Sequence, residues 1–256
     1  MSVNFNLELT DHCNISCKMC SQSMRDEAHG APHRFMDWET WRGALLGLAD
    51  MKQEVALCPH WLGEPTIHPQ FDRFVEYAFA ANPANRLFRE FKLHTNGVVF
   101  GEERARLLLR MANRSDMAED TFRFIHFSID ALSPEVYATV KGADRQALVY
   151  SNILRFLRIR QELNLLRPHV TLAFVVQPEN VDEARGFRDY WKAELEAVGR
   201  AVRQTWDWPD READTIYLRP LNCGDQDDSD RLHARIVRQL GLTHSENERL
   251  RAPASF

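Results

Sequence analysis

Six times along the chain a short apolar, β-branched or aromatic run gives way to a segment whose apolar residues recur every three or four positions. The strand-like runs are residues 4–10, 54–61, 88–94, 122–129, 169–176 and 215–221. Helical segments begin at Asp37, an acidic N-cap, and cover 69–81, 102–111, 146–164, 181–200 and 229–240, with a short helix opened by Ser133-Pro134. Such alternation predicts an α/β fold, a parallel sheet with helices outside. Residues 169–176 are almost continuously apolar, as a strand buried on both faces requires. Six units are too few for a closed eight-stranded barrel, so a curved, open (β/α)6 partial barrel is expected. In such sheets chemistry collects beyond the C-terminal strand ends.

The loop after the first strand carries Cys13, Cys17 and Cys20, spaced C-x3-C-x2-C. Five cysteines, three of them crowded into one loop, make a metal pattern rather than a disulfide framework. Thiolates hold zinc or iron–sulfur clusters. An ordinary [4Fe–4S] cluster takes four cysteines, so three would leave one iron open to a small chelating molecule. The other reading is a zinc site completed by His12, His29 or His33, although zinc more often sits between two separated cysteine or histidine pairs.

The next three strands end in equally distinctive loops. Trp61-Leu62-Gly63-Glu64-Pro65 follows the second, His94-Thr95-Asn96-Gly97 the third, and Phe127-Ser128-Ile129-Asp130-Ala131 closes the fourth. In this order the four segments resemble the radical S-adenosylmethionine (radical SAM) superfamily, in the version found in its SPASM/Twitch-related subgroup. The resemblance runs over about residues 5–180. It implies a (β/α)6 partial TIM barrel whose [4Fe–4S] cluster is held by Cys13, Cys17 and Cys20, with S-adenosylmethionine on the open iron. The reduced cluster would split the sulfonium to a 5′-deoxyadenosyl radical that takes hydrogen from a substrate.

By the same resemblance, Gly63, Glu64 and Pro65 surround the methionine ammonium. A charged hydrogen bond of that kind contributes about 1.5–3 kcal/mol. Thr95 and Asn96 lie near the ribose and methionyl group. Ser128 and Asp130, on one side of their strand, share a pocket at the carboxylate or ribose. Lys141 stands where relatives often carry an arginine for the carboxylate, with Arg145 as the alternative. Val176 offers backbone to the adenine edge. Two departures stand out: Leu62 replaces the first glycine of a GGEP motif, and Met19 replaces an aromatic residue often found before the third cysteine.

The net charge of −5, with basic and acidic residues interleaved, leaves no electrostatic footprint for nucleic acid. No apolar run approaches the roughly 18 residues of a membrane span, and no secretory segment opens the chain. A cytoplasmic enzyme is expected, with a barrel domain over 1–221 and a helical extension over 222–256. Cys58 reads as a buried thiol. Cys223, the lone cysteine past the sixth strand, cannot hold an auxiliary cluster but could return a hydrogen atom to a substrate radical. Arg219 could meet an anionic substrate group. The expected partners are a small polar substrate, such as a sugar or nucleoside intermediate of natural-product biosynthesis, and an external electron donor of flavodoxin or ferredoxin type. Dehydrogenation, epimerisation, decarboxylation and carbon–carbon bond formation all remain open. So do maturation of a ribosomal peptide and, in another class, a non-catalytic zinc or iron–sulfur redox-sensing module.

Overall fold

The computed structural model describes residues 2–23, 34–206, 212–222 and 226–242. Among them the elements are β1 (Val3–Asn6), α1 (Trp38–Gly47), β2 (Val55–Cys58), α2 (Phe71–Ala80), β3 (Glu90–Phe91), β4 (Leu93–Thr95), α3 (Glu102–Ala112), β5 (Phe124–Ser128), α4 (Pro134–Lys141), α5 (Gln146–Glu162), β6 (His169–Val176), α6 (Ala184–Ala197), β7 (Val202–Thr205), β8 (Asp214–Pro220) and α7 (Gln226–Leu240). Every pairing between these strands is parallel. The helix starts follow the local chemistry: Asp37 accepts from the Thr40 N–H at 2.9 Å, and Ser133 from that of Val136 at 3.3 Å ahead of Pro134.

Two details differ from expectation. The third strand is split at Lys92: Glu90–Phe91 pairs with β2, and Leu93–Thr95 with β5. The strand orders are therefore β1-β2-β3 and β4-β5-β6-β8-β7, joined through one extended segment. The break falls at Lys92, whose N–H still donates to the Leu57 carbonyl and whose amine meets Asn4 Oδ1, both at 2.9 Å. The second difference is β7, an edge strand outside β8. It is four residues long, with exposed Arg203 and half-buried Gln204, too short and polar to register as a strand.

Side chains alternate along each strand, and the two faces divide the chemistry. Val55, Leu57, Phe91, Leu93, Ile125, Phe127, Val170, Leu172, Phe174, Val176, Ile216 and Leu218 join the core that the helices cover. The alternate positions, among them His94, His126, Ser128, Thr171, Ala173, Tyr217 and Arg219, form the inner wall. β6 is thus buried except at half-buried Val175, but it turns Thr171 and small Ala173 inward rather than bulky apolar side chains on both faces. At the N-terminal strand ends Arg160 grips buried Asp214 in a fork, 2.9 and 2.6 Å, and Asp214 also accepts from the Val170 N–H at 2.8 Å. That network closes the lower end and leaves the C-terminal ends for the site.

Candidate functional site

The cysteine loop lies across the C-terminal strand ends, clamped from two sides. The Glu64 N–H donates to the His12 carbonyl at 2.8 Å. Gly63 passes so close beneath that a Cβ there would meet Thr10 O at 2.0 Å, which explains why the Gly-Glu-Pro core survives the loss of the first glycine. Glu8, a lone acid between buried Leu7 and Leu9, takes the Leu62 and Gly63 N–H groups on Oε1 at 2.5 and 2.8 Å. On the other side the Lys18 N–H bonds the Val140 carbonyl at 2.9 Å at the end of α4. Gly142 follows at φ +65°, and a Cβ there would lie 2.3 Å from Ser16 O.

Within this clamp Cys13, Cys17 and Cys20 are free and half-buried. Burial pushes the Cys13 thiol up to about 12 and raises that of Cys17, with Lys141 working in the opposite direction on both. Among the described residues no three His, Cys, Asp or Glu side chains converge tightly enough to hold one metal ion. The thiols are nonetheless near enough for Cys13 to feel Cys17 and for Cys17 to feel Cys20. Three free, half-buried sulfur donors spread along one loop fit a multi-iron cluster. His29 and His33 lie outside the described residues, as does Cys223.

Glu64 is fully buried, and burial raises its carboxyl despite four donors. Oε1 accepts from the Thr66 N–H at 3.1 Å and from the Thr66 and Thr95 hydroxyls at 2.6 and 2.8 Å. Oε2 accepts from the Asn96 N–H at 2.6 Å and keeps acceptor capacity. Pro65 begins the 3-10 turn that Glu64 caps. The Asn96 amide reaches Asn14 Oδ1 at 2.7 Å and Cys13 Sγ at 3.7 Å. Thr95 holds the Glu64 carboxylate, and Asn96 ties it to the cysteine loop.

Ser128, Asp130 and Lys141 form a second buried group. Lys141 Nζ donates to Asp130 Oδ2 at 2.7 Å and to the Ser128 carbonyl and hydroxyl at 3.0 Å each. Burial by itself would lower the lysine, but the Asp130 carboxylate and Cys17 outweigh it and hold the ammonium above its ordinary range. Asp130 lies beyond the strand at φ +64°, so a turn rather than the pleat brings it to the Ser128 hydroxyl, 2.9 Å away. Its other oxygen accepts from the Val175 N–H at 2.8 Å, locking β5 to β6. Arg145 is exposed and bonds the Asp144 carbonyl, outside this group.

Val176 points into the core, so its backbone alone borders the site. Next to it buried Gln177 approaches Met19 Sδ at 3.2 Å, and Glu179 pairs with Lys18, a third tie to the cysteine loop. Buried Asn180 holds that turn, donating to the Asp130 carbonyl at 2.7 Å and accepting from the Gln177 N–H at 2.9 Å. Sequence reasoning missed Glu8 and Asn180; a charged residue inside an apolar strand was the available signal for Glu8. A hollow of about 600 Å³ lined by Asn113, Arg114, Glu119 and Arg167 lies in the loops before β5 and β6, away from every motif residue.

Comparison with known proteins bears on the fold and the family. A Pyrococcus furiosus protein described as a tungsten-containing aldehyde ferredoxin oxidoreductase cofactor-modifying protein is 23% identical over 174 residues, 68% of this chain and 44% of its own length. Streptococcus suis SuiB bound to S-adenosylmethionine superposes with a TM-score of 0.58 at 11% identity, over 96% of this chain and 50% of SuiB. Polyhistidine-tagged anSMEcpe with bound AdoMet gives 0.59 at 17% identity, over 94% of this chain and 58% of its own. The chain thus spans about half the length of these relatives, and it shares the partial-barrel fold of the two solved structures. The Radical SAM superfamily profile matches residues 7–190, well over half of the sequence, and the chain belongs to that superfamily.

Proposed function

We propose that Cys13, Cys17 and Cys20 hold the [4Fe–4S] cluster of this superfamily and that the strand-end groups hold S-adenosylmethionine beside it. When reduced, the cluster with its bound cofactor supplies a 5′-deoxyadenosyl radical able to take hydrogen from an unactivated carbon. Glu64 accepts from the methionine ammonium on Oε2. Lys141 and Ser128 form the polar floor at the carboxylate, and Asp130 keeps that lysine charged and aimed. Met19 and Gln177 cover the adenine side next to the Val176 backbone. The chain's own task is to aim one substrate carbon at the radical and keep other hydrogens away.

One observation carries this reading: buried Glu64 donates its own N–H to the His12 carbonyl of the cysteine loop, and its carboxylate is held by Asn96, whose side-chain amide reaches Cys13. The substrate is a small polar metabolite, a reading supported by the polar inner wall. A peptide is the second reading, since anSMEcpe has been solved with a bound peptide. Anaerobic reconstitution should give a brown, iron-containing protein that forms 5′-deoxyadenosine from S-adenosylmethionine under dithionite, and Cys13→Ala, Cys17→Ala or Cys20→Ala should abolish it. A colourless, zinc-loaded wild type that never forms deoxyadenosine refutes the proposal. Turnover with candidate sugars or nucleosides against leader-containing peptides separates the two substrate classes.

A further inference from the structure

Below the strand ends the inner wall carries a row of three imidazoles. His60, just past β2, stacks on His94 of β4 with centroids 4.3 Å apart and rings inclined by 21°. His94 in turn stacks on His126 of β5, at 4.3 Å and 14°. Tyr217 of β8 meets His126 edge-on at 6.2 Å. Arg219, two residues further along the same face of β8, opposes Val175 in register. It is near enough for its charge to act on both His94 and His126.

Among the described residues the cations around this wall are matched except at one point. Lys92 faces Glu90 at 3.7 Å and Asn4 at 2.9 Å. Lys141 is paired with Asp130, and Glu64 is saturated on Oε1 by three donors. Half-buried Arg219 makes no hydrogen bond or ion pair among the described residues. It sits on a strand facing the lumen, not in a solvated loop. A guanidinium is a rigid planar fork that matches a carboxylate or phosphate with two parallel N–H···O bonds. The imidazoles beside it add hydrogen-bonding nitrogens and no negative charge.

We infer that Arg219, with the His60–His94–His126 row beside it, docks an anionic group of the substrate, a carboxylate or a phosphate. The inference rests on the radical reading of the same lumen and assigns its substrate a charge. The anion would anchor the far end of the molecule and leave an uncharged carbon toward the cysteine loop.

Equilibrium dialysis tests this with reconstituted holoenzyme and S-adenosylmethionine, against labelled inorganic phosphate and labelled acetate at ionic strength held constant with chloride. Wild type should show one saturable site for at least one anion, weakened about tenfold or more in Arg219→Met, as loss of a charged, bidentate partner requires. Phosphate binding alone assigns a phosphorylated substrate, and acetate binding alone a carboxylate. A measurement on wild type avoids any folding defect of the variant: the bound anion should slow phenylglyoxal labelling of Arg219, mapped by peptide mass spectrometry. No saturable site, unaltered binding in Arg219→Met, or no protection overturns the inference. Wild type that forms deoxyadenosine yet binds neither anion refutes the docking site and leaves the radical reading standing.

Discussion

Replacing Lys141 with methionine would strand a charge in the interior. The ammonium is 1% exposed and lies 2.7 Å from Asp130 Oδ2, itself 0% exposed, so solvent cannot take its place. Breaking a buried pair from one side costs about 3–5 kcal/mol, because the remaining charge stays desolvated. Asp130 keeps the Val175 N–H at 2.8 Å and the Ser128 hydroxyl at 2.9 Å, which places the loss near the lower end, about 3 kcal/mol. For a chain of 256 residues each kcal/mol is worth about 2–4 °C, so Lys141→Met should lower Tm by roughly 6–12 °C. Circular dichroism melts of the anaerobically reconstituted protein measure it. Adding Asp130→Asn removes the stranded charge, and asparagine tolerates the φ of +64°, so the double variant should regain at least about 1 kcal/mol. A single variant within about 2 °C of wild type, or a double variant as unstable as the summed losses, would refute the assignment of this pair as a buried, mutually dependent unit.

Three further outcomes are expected. Glu64→Gln keeps the shape but removes the charge offered to the cofactor's ammonium, so S-adenosylmethionine binding by the reconstituted protein should weaken about 10- to 100-fold without vanishing; unchanged affinity refutes the role. Gly63→Ala forces a Cβ to within 2.0 Å of Thr10 O unless the loop moves, which should cost about 1–3 kcal/mol and lower iron retention, read by melting and iron analysis. Burial pushes His94 down to about 4, and burial with neighbouring positive charge holds His60 and His126 well below their ordinary range. Between about pH 6.5 and 4 the unfolded chain then binds protons that the folded one refuses, so stability is complete above that window and falls as pH drops, by up to about 1.4 kcal/mol per pH unit for each histidine. Melts from pH 7.5 to 5 should show the decline, shallower in His94→Gln; a flat profile refutes it.

How much of this was legible depended on the distance over which each signal acts. Cys13, Cys17 and Cys20 were readable as a candidate site because three thiols sit within eight residues, and Gly63-Glu64-Pro65 because a close backbone approach leaves a glycine in the sequence. The helix starts at Asp37 and Ser133 were equally local. The partners of those groups were not. Asp130 appeared as a neighbour of Ser128 along a pleat, whereas it turns out of the strand and grips Lys141 and Val175. Lys141 appeared as a substitute for an arginine, and the structure shows what keeps it charged. Glu8 and Asn180 carried no motif, and the row of His60, His94 and His126 exists only because β4 and β5 place His94 opposite His126 and the turn after β2 brings His60 against His94.

The sequence by itself determined the alternating parallel architecture, the loop of three thiols and the strand ends where chemistry gathers, since periodicity and ligand spacing are encoded within a few consecutive residues. Tertiary structure decided which buried charges pair, how the cysteine loop is clamped and which lumen cation stays unmatched among the described residues. Those outcomes depend on register between segments tens of residues apart and on the loss of water around them, which no short stretch of sequence records.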